Sequence, residues 1–192
     1  VTFACLQNSQ DPDQWRRLLA AVDEDRAAGG TLTPQVAQRP AGVLFSLESS
    51  GHPFILHEGY QKVALLPHAD RVAALRTPEV RREILDNPPD LSPFPEVFTS
   101  SLVNWDNMFP LGDPIDYEPA ADKSLAQQAK KLGCDPADLA YDTMLERDGK
   151  GIIYMPLLGY ADGDFEALRE MMLHPHAVFG LSDGGAHCGL IC

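Results

Sequence analysis

Apolar and polar positions along this chain switch between two periods, and the switches mark out its elements. Val1–Leu6 is a nearly continuous apolar run, the pattern of a buried strand. Asp11-Pro12-Asp13 then signals a helix start, since proline fits the first turn and acids favour the positive end of the helix dipole. Trp15, Leu18, Leu19 and Val22 recur at helical spacing as far as Ala28, and Gly29-Gly30 stops the helix. Thr31–Val36 returns to a strand pattern. Strand, helix and strand in succession form a βαβ unit, which predicts parallel neighbours.

The regular pattern breaks between Pro40 and Pro119. Gly51, Pro53, Pro67, Pro78, the Pro88-Pro89 pair, Pro93, Pro95, Pro110, Gly112 and Pro114 interrupt it. Two short helices, Ala69–Leu75 and Pro78–Leu85, punctuate the stretch, and Val97–Trp105 reads as a strand. So much proline predicts an inserted lid or loop subdomain. Regularity resumes with a helix over Asp122–Leu132 that Gly133 ends. Asp135-Pro136 opens a second helix reaching to about Arg147. Ile152–Met155 reads as a short strand, Asp164–Leu173 as a helix stopped before Pro175, and Ala177–Leu181 as a final strand. The pattern is that of an α/β chain in three stretches. Residues 1–45 form the βαβ segment, 46–120 the Pro-rich insertion or lid, and 121–192 the helix pair and last strand. No internal repeat or low-complexity tract is present.

Composition narrows the partners. The 192 residues are enough to bury a real core, and 44% apolar with 22% charged residues is ordinary for a globular protein. Against 28 Asp plus Glu stand 15 Lys plus Arg, a formal charge of -13. That balance argues against nucleic acid or an anionic membrane as partner, because phosphate contacts need clustered cations. Arg16-Arg17, Arg81-Arg82 and Lys130-Lys131 fall on predicted helices and read as solvated faces. Cys5, Cys134, Cys188 and Cys192 contain no CxxC pair, so free thiols in a reducing, cytoplasmic setting are expected. No apolar run reaches the ~20 residues of a membrane span. The chain opens and closes on apolar runs, which sets the expectation of a piece of something longer, one incomplete domain.

The richest segment for chemistry is Phe179-Gly180-Leu181-Ser182-Asp183-Gly184-Gly185-Ala186-His187. A strand delivers Asp183 at its carboxyl end, and glycines follow so that the backbone can turn sharply. In α/β barrels catalytic groups sit at such ends, and a carboxylate there suits acid–base work. The plainer reading is a turn aspartate bonded to its own backbone.

Several stretches in order resemble the D-aminoacylase group of the amidohydrolase superfamily. They are Lys123–Ala129, Gly133-Cys134-Asp135-Pro136-Ala137-Asp138, Asp164–Met172, His174-Pro175-His176 and Gly180-Leu181-Ser182-Asp183-Gly184. The resemblance is good over about the last seventy residues and loose through the Pro-rich middle. It implies a partial (β/α)₈ TIM-like barrel, strands six to eight, with an inserted irregular lid. The implied activity is zinc-dependent hydrolysis of an amide C–N bond, with N-acyl-D-amino acids as the nearest substrate class. Asp183 would take the proton from the attacking water, pass it to the leaving nitrogen, and touch the metal. His187 would contact substrate or, more plainly, bond to backbone.

The sequence also departs from that family. No His-x-His follows an opening strand; His174-Pro175-His176 has the spacing but lies between a helix end and the last strand, and reads as structural. Where the family's sixth strand ends in Ser-His-His-Lys, this chain has Ala4-Cys5-Leu6-Gln7, leaving Cys5 as a thiolate ligand or a buried core residue. The family's aromatic-Pro-aromatic segment is here Thr33-Pro34-Gln35-Val36-Ala37-Gln38-Arg39-Pro40. Arg39 would pair with a substrate carboxylate or form a surface salt bridge, and Gln35 is a further pocket candidate. His52, His57 and His68 are plain loop residues or lid contacts. Three functions follow: a zinc amidohydrolase part, inactive alone and completed by the rest of the barrel or a homo-oligomer; a non-catalytic small-molecule-binding relative without a complete metal site; or an α/β domain whose Ser-Asp-Gly is only a turn.

Overall fold

A computed structural model of the chain describes residues 1–94, 99 and 102–180. It is a mixed α/β structure with seven α-helices and two three-stranded sheets among the described residues. The strands are β1 (Thr2–Ala4), β2 (Thr33–Val36), β3 (Ala41–Phe45), β4 (Phe109–Pro110), β5 (Ile153–Leu158) and β6 (Val178–Phe179). The helices are α1 (Gln14–Ala27), α2 (Glu58–Gln61), α3 (His68–Leu75), α4 (Pro78–Leu85), α5 (Leu125–Leu132), α6 (Pro136–Gly149) and α7 (Glu166–Leu173). None of them is long and apolar enough to cross a membrane. By contacts the chain forms two compact units: Val1–Val43 with the stretch that begins at Pro156, and Leu44–Met155. The second unit therefore takes in both the Pro-rich stretch and the helix pair.

The first unit is built on a parallel sheet in the order β1-β2-β6. β1 and β2 are the parallel neighbours that the βαβ reading predicts, and β6 joins β2 in the same direction. Side chains alternate across a strand, so the register sorts them by parity. On one side Cys5 and Val36 pack with Trp15 and Leu19 of α1 and with Ala167, Leu168 and Met171 of α7, and Phe3 and Ala177 flank that cluster. On the other side lie Thr2 and Ala4, exposed, Thr33 and Gln35, half-buried, and Val178. Among the described residues of this unit, helices thus cover one face only. Proline is rare in a central strand because it has no N–H to give. Pro34 is tolerated since Thr33 and Gln35 bond toward β1, while pairing with β6 begins only at Gln35. No closed barrel is formed by the described residues; the sheet stops at three strands.

In the second unit α3, α4 and α6 pack together, and the Tyr141 hydroxyl on α6 donates to the Leu75 carbonyl at 2.8 Å. Arg81 on α4 reaches Asp138 at 2.7 Å and also Asp142, both on α6. The single helix expected over Asp122–Leu132 is interrupted at Ser124, whose hydroxyl caps α5 by accepting from Gln127 N at 3.3 Å. The last helix turn of α6 ends early. Arg147 and Asp148 are left-handed at φ 50° and 57°, a conformation that costs an ordinary residue energy, and His68 Nε2 holds the Asp148 carbonyl at 2.9 Å. At the end of the strand expected over residues 97–105, Trp105–Asn107 is a 3-10 turn; residues 95–98, 100 and 101 lie outside the described set. Three short elements carry no sequence signal read above: β3, whose apolar run follows β2 after only four residues, α2 and β4.

His52 is fully buried in the second unit, its ring edge-on to Tyr60 with centroids 4.4 Å apart. Its Nδ1 accepts from Phe54 N at 3.2 Å. Burial pushes its pKa down to about 3, with Arg71 and His57 adding to the effect. Above the ordinary value of 6.5 the ring is neutral folded or unfolded. Below it the unfolded chain takes up a proton that the folded one refuses, so stability falls as pH drops from 6.5 toward 3. Urea unfolding of the protein and of His52→Asn should show a stability difference that moves toward the variant over that range. A difference independent of pH would mean that the ring is not held neutral by the fold.

Candidate functional site

In parallel α/β sheets, ligand sites form where strands give out at their carboxyl ends. At that end of the first unit, β1 continues as Cys5-Leu6-Gln7, β2 as Ala37-Gln38-Arg39-Pro40, and β6 as Gly180. Gly180 N donates to the Val36 carbonyl at 3.0 Å, extending the ladder one residue past β6. Asp183 and His187 follow shortly after, and both lie outside the described residues, as do Cys188 and Cys192.

Gln35 is on the uncovered face, paired with Ala4 on one side and Val178 on the other. A side chain on Gly180 would begin 3.4 Å from Gln35 Cβ, so the glutamine lies against the backbone that leads to Asp183. Arg39 is exposed in the turn between β2 and β3 and forms no ion pair among the described residues. Ion pairs elsewhere engage Arg16, Arg17, Lys62, Arg76, Arg81, Arg82, Lys123, Lys131 and Arg169. Of the two readings open for Arg39, a surface salt bridge is not made with any described carboxylate.

Cys5 is also at the strand end but faces the helices. It is fully buried in the apolar cluster, with Sγ 3.8 Å from Met171 Sδ, and burial pushes its thiol up to about 11. A metal ligand must be a thiolate, and this environment holds the neutral thiol. No group of three or more His, Cys, Asp or Glu able to hold a metal exists among the described residues. The described residues therefore do not fit a zinc site.

Two residues at this end carry no functional signal in the sequence. Gln7 is fully buried and satisfied at both ends of its amide: Oε1 accepts from Ala161 N at 2.9 Å, and Nε2 donates to Asp162 Oδ2 at 2.7 Å. Its carbonyl accepts from Gly159 N at 2.9 Å. Gly159, at φ 82°, packs so tightly that a Cβ there would meet Pro40 Cα at 3.3 Å. The turn over residues 159–163 is thereby fixed beside the end of β2. The only sequence hint was glycine at both ends of that turn.

The remaining histidines serve the scaffold. His174, at the end of α7, sits 3.2 Å from Asp23 on α1, and its Nδ1 accepts from His176 N at 3.4 Å. In the second unit His57 Nδ1 bonds to the Ile84 carbonyl at 2.7 Å. That unit also has a cavity of about 520 Å³ lined by Pro110, Pro114, Pro119 and Gln128, where the charges are already paired as Lys123–Asp116 and Lys131–Asp122.

The state of Cys5 is directly measurable. At pH 8 a thiol with a pKa of about 11 is roughly one part in a thousand thiolate, so alkylation should leave the Cys5 peptide unmodified while the exposed Cys134 reacts. Mass spectrometry after iodoacetamide treatment of the folded protein reads both. Equal labelling would mean that Cys5 is open to solvent and free to ligate. Compared with known proteins, the chain matches no family model, no curated sequence and no solved structure.

Proposed function

We propose that this chain is part of an amidohydrolase-like (β/α)₈ barrel that cleaves an amide C–N bond, with an N-acyl-D-amino acid as the nearest substrate class. The observation that carries the reading is the parallel order β1-β2-β6 with helices on one face and the other face left uncovered. Three consecutive barrel strands have that arrangement, and their uncovered side is the one turned to the barrel interior. The remaining strands would come from the rest of the parent chain or from a second copy. The acidic surface suits a small-molecule substrate in the cytoplasm rather than a nucleic acid or membrane.

In this reading Asp183 is the acid–base group. Its carboxylate accepts a proton from the attacking water and returns it to the amide nitrogen as the C–N bond breaks, because an unprotonated amide nitrogen leaves poorly. Arg39, exposed and unpaired among the described residues, receives the substrate carboxylate, and its planar fork suits two parallel hydrogen bonds. Gln35 lines the wall beside Gly180, and His187 contacts substrate. Zinc is implied by the resemblance, but the described residues do not offer it a fitting donor set. No step is therefore routed through it.

That mismatch favours a second reading, a non-catalytic barrel relative that binds a small amide. The two separate in one experiment on the full-length protein. Zinc content and hydrolysis of N-acetyl-D-amino acids are measured with and without Asp183→Asn. A hydrolase should lose about 10²–10⁴-fold in kcat with its circular dichroism unchanged. Undiminished turnover by the variant would make Asp183 a turn residue. Ligand binding without zinc or turnover would establish the non-catalytic reading.

A further inference from the structure

Gln7 raises a question that packing alone does not answer. A primary amide moved out of water costs free energy unless every polar atom is paired, and an apolar side chain would fill the same space without that demand. Here the pairing is directed. One end of the amide locks the Ala161 N–H, and the other grips a single oxygen of Asp162. Asp162 itself is exposed, forms no ion pair among the described residues, and keeps its Oδ1 without a hydrogen bond among them. An exposed aspartate on a turn usually samples several rotamers. This one is held by a charge-assisted bond of 2.7 Å from a donor that cannot move.

The carboxylate so held stands just beyond β5 and beside the end of β1, where Gly159 of the same turn packs on Pro40, next to Arg39. Asp162 is a fixed acceptor after β5 and Arg39 an unpaired cation after β2, and an N-acyl amino acid has one N–H and one carboxylate to offer them. We propose that Asp162 is a substrate-binding residue whose Oδ1 accepts the amide N–H, and that Gln7 is its positioning residue. This rests on the amide-binding reading above, not on turnover.

The test uses the full-length protein and a pair of ligands that differ in one atom: an N-acyl-D-amino acid and its ester analogue, in which oxygen replaces the N–H. Calorimetry reads binding, and kcat and KM are read where turnover occurs. In Asp162→Asn the new carbonyl oxygen is taken by Gln7 Nε2 and an N–H₂ faces outward, where an acceptor is needed. Affinity for the amide should drop about tenfold to a hundredfold, the usual worth of a hydrogen bond to a charged group, while the ester is unaffected. Gln7→Glu combined with Asp162→Asn reverses the donor and acceptor inside the pair, turns the carbonyl outward again, and should restore the preference for the amide. A role confined to holding the turn would instead lower the melting temperature and leave the ratio of amide to ester affinity unchanged, which overturns the proposal. Binding of both ligands without turnover removes the hydrolase and still scores Asp162 on that ratio. Binding of neither ligand overturns both.

Discussion

Everything placed at the strand ends depends on the side-chain alternation of β2. Thr33 and Gln35 point one way, Pro34 and Val36 the other, and the ladder to β1 and β6 transmits that parity across the sheet. Val36 is buried among Trp15, Leu19, Leu168 and Met171, so its side cannot be exchanged. A slip of one residue would drive Gln35 into that cluster, where its amide would find no partner, and expose Val36 to water. The register is thus set by apolar burial, and the polar face follows from it. Gln35 comes to lie against Gly180 because the core residue beside it has nowhere else to go.

The end of β1 shows the same rule acting on two neighbours with opposite outcomes. Cys5 and Gln7 share a parity, and both are fully buried. Cys5 meets only apolar and thioether atoms, so its burial keeps the thiol protonated and makes it part of the core. Gln7 lies beyond the reach of the helices and meets a turn whose N–H and carboxylate match its amide. Burial is common to both; what differs is whether a polar partner is supplied. Of the two readings open for Cys5, its place in the apolar cluster and its raised thiol favour the core residue over the thiolate ligand.

The sequence made the parallel trio legible because each strand is an apolar run bounded by helix signals, and α1, α4 and α7 because their apolar spacing is helical. β3 was illegible for a physical reason. Its run Ala41–Phe45 follows Pro40 directly and lies between two glycine- and proline-rich stretches, so local pattern does not separate it from a loop. Boundaries shifted where a single side chain decided them, as Ser124 did by capping α5. Of the candidate site, Gln35 and Arg39 were singled out through the resemblance, on the segment Thr33–Pro40, rather than by local pattern. The Gln7–Asp162 bond was not legible, since it joins residues separated by most of the chain, and such a contact leaves no local trace.

The charge distribution gives the strand end its chemical character. In a chain with 28 acidic and 15 basic side chains, an exposed arginine has many carboxylates to choose from. Even on exposed helix faces, where such pairs contribute little, Arg16, Arg82 and Arg169 find an acid three residues away. Arg39 finds none among the described residues because its turn is short and carries no acid: Ala37, Gln38 and Pro40 surround it. The carboxylate of Asp162, on the turn after β5, is instead held by a neutral amide, which orients it. Both groups are exposed, so water solvates each charge and the free protein bears little penalty for leaving them unpaired. In the proposed reading a ligand carrying both a carboxylate and an N–H engages the two groups together, whereas a ligand with one of them engages only one. Selectivity in that reading rests on hydrogen bonds made by groups that the described residues leave unpaired, with water as the competitor.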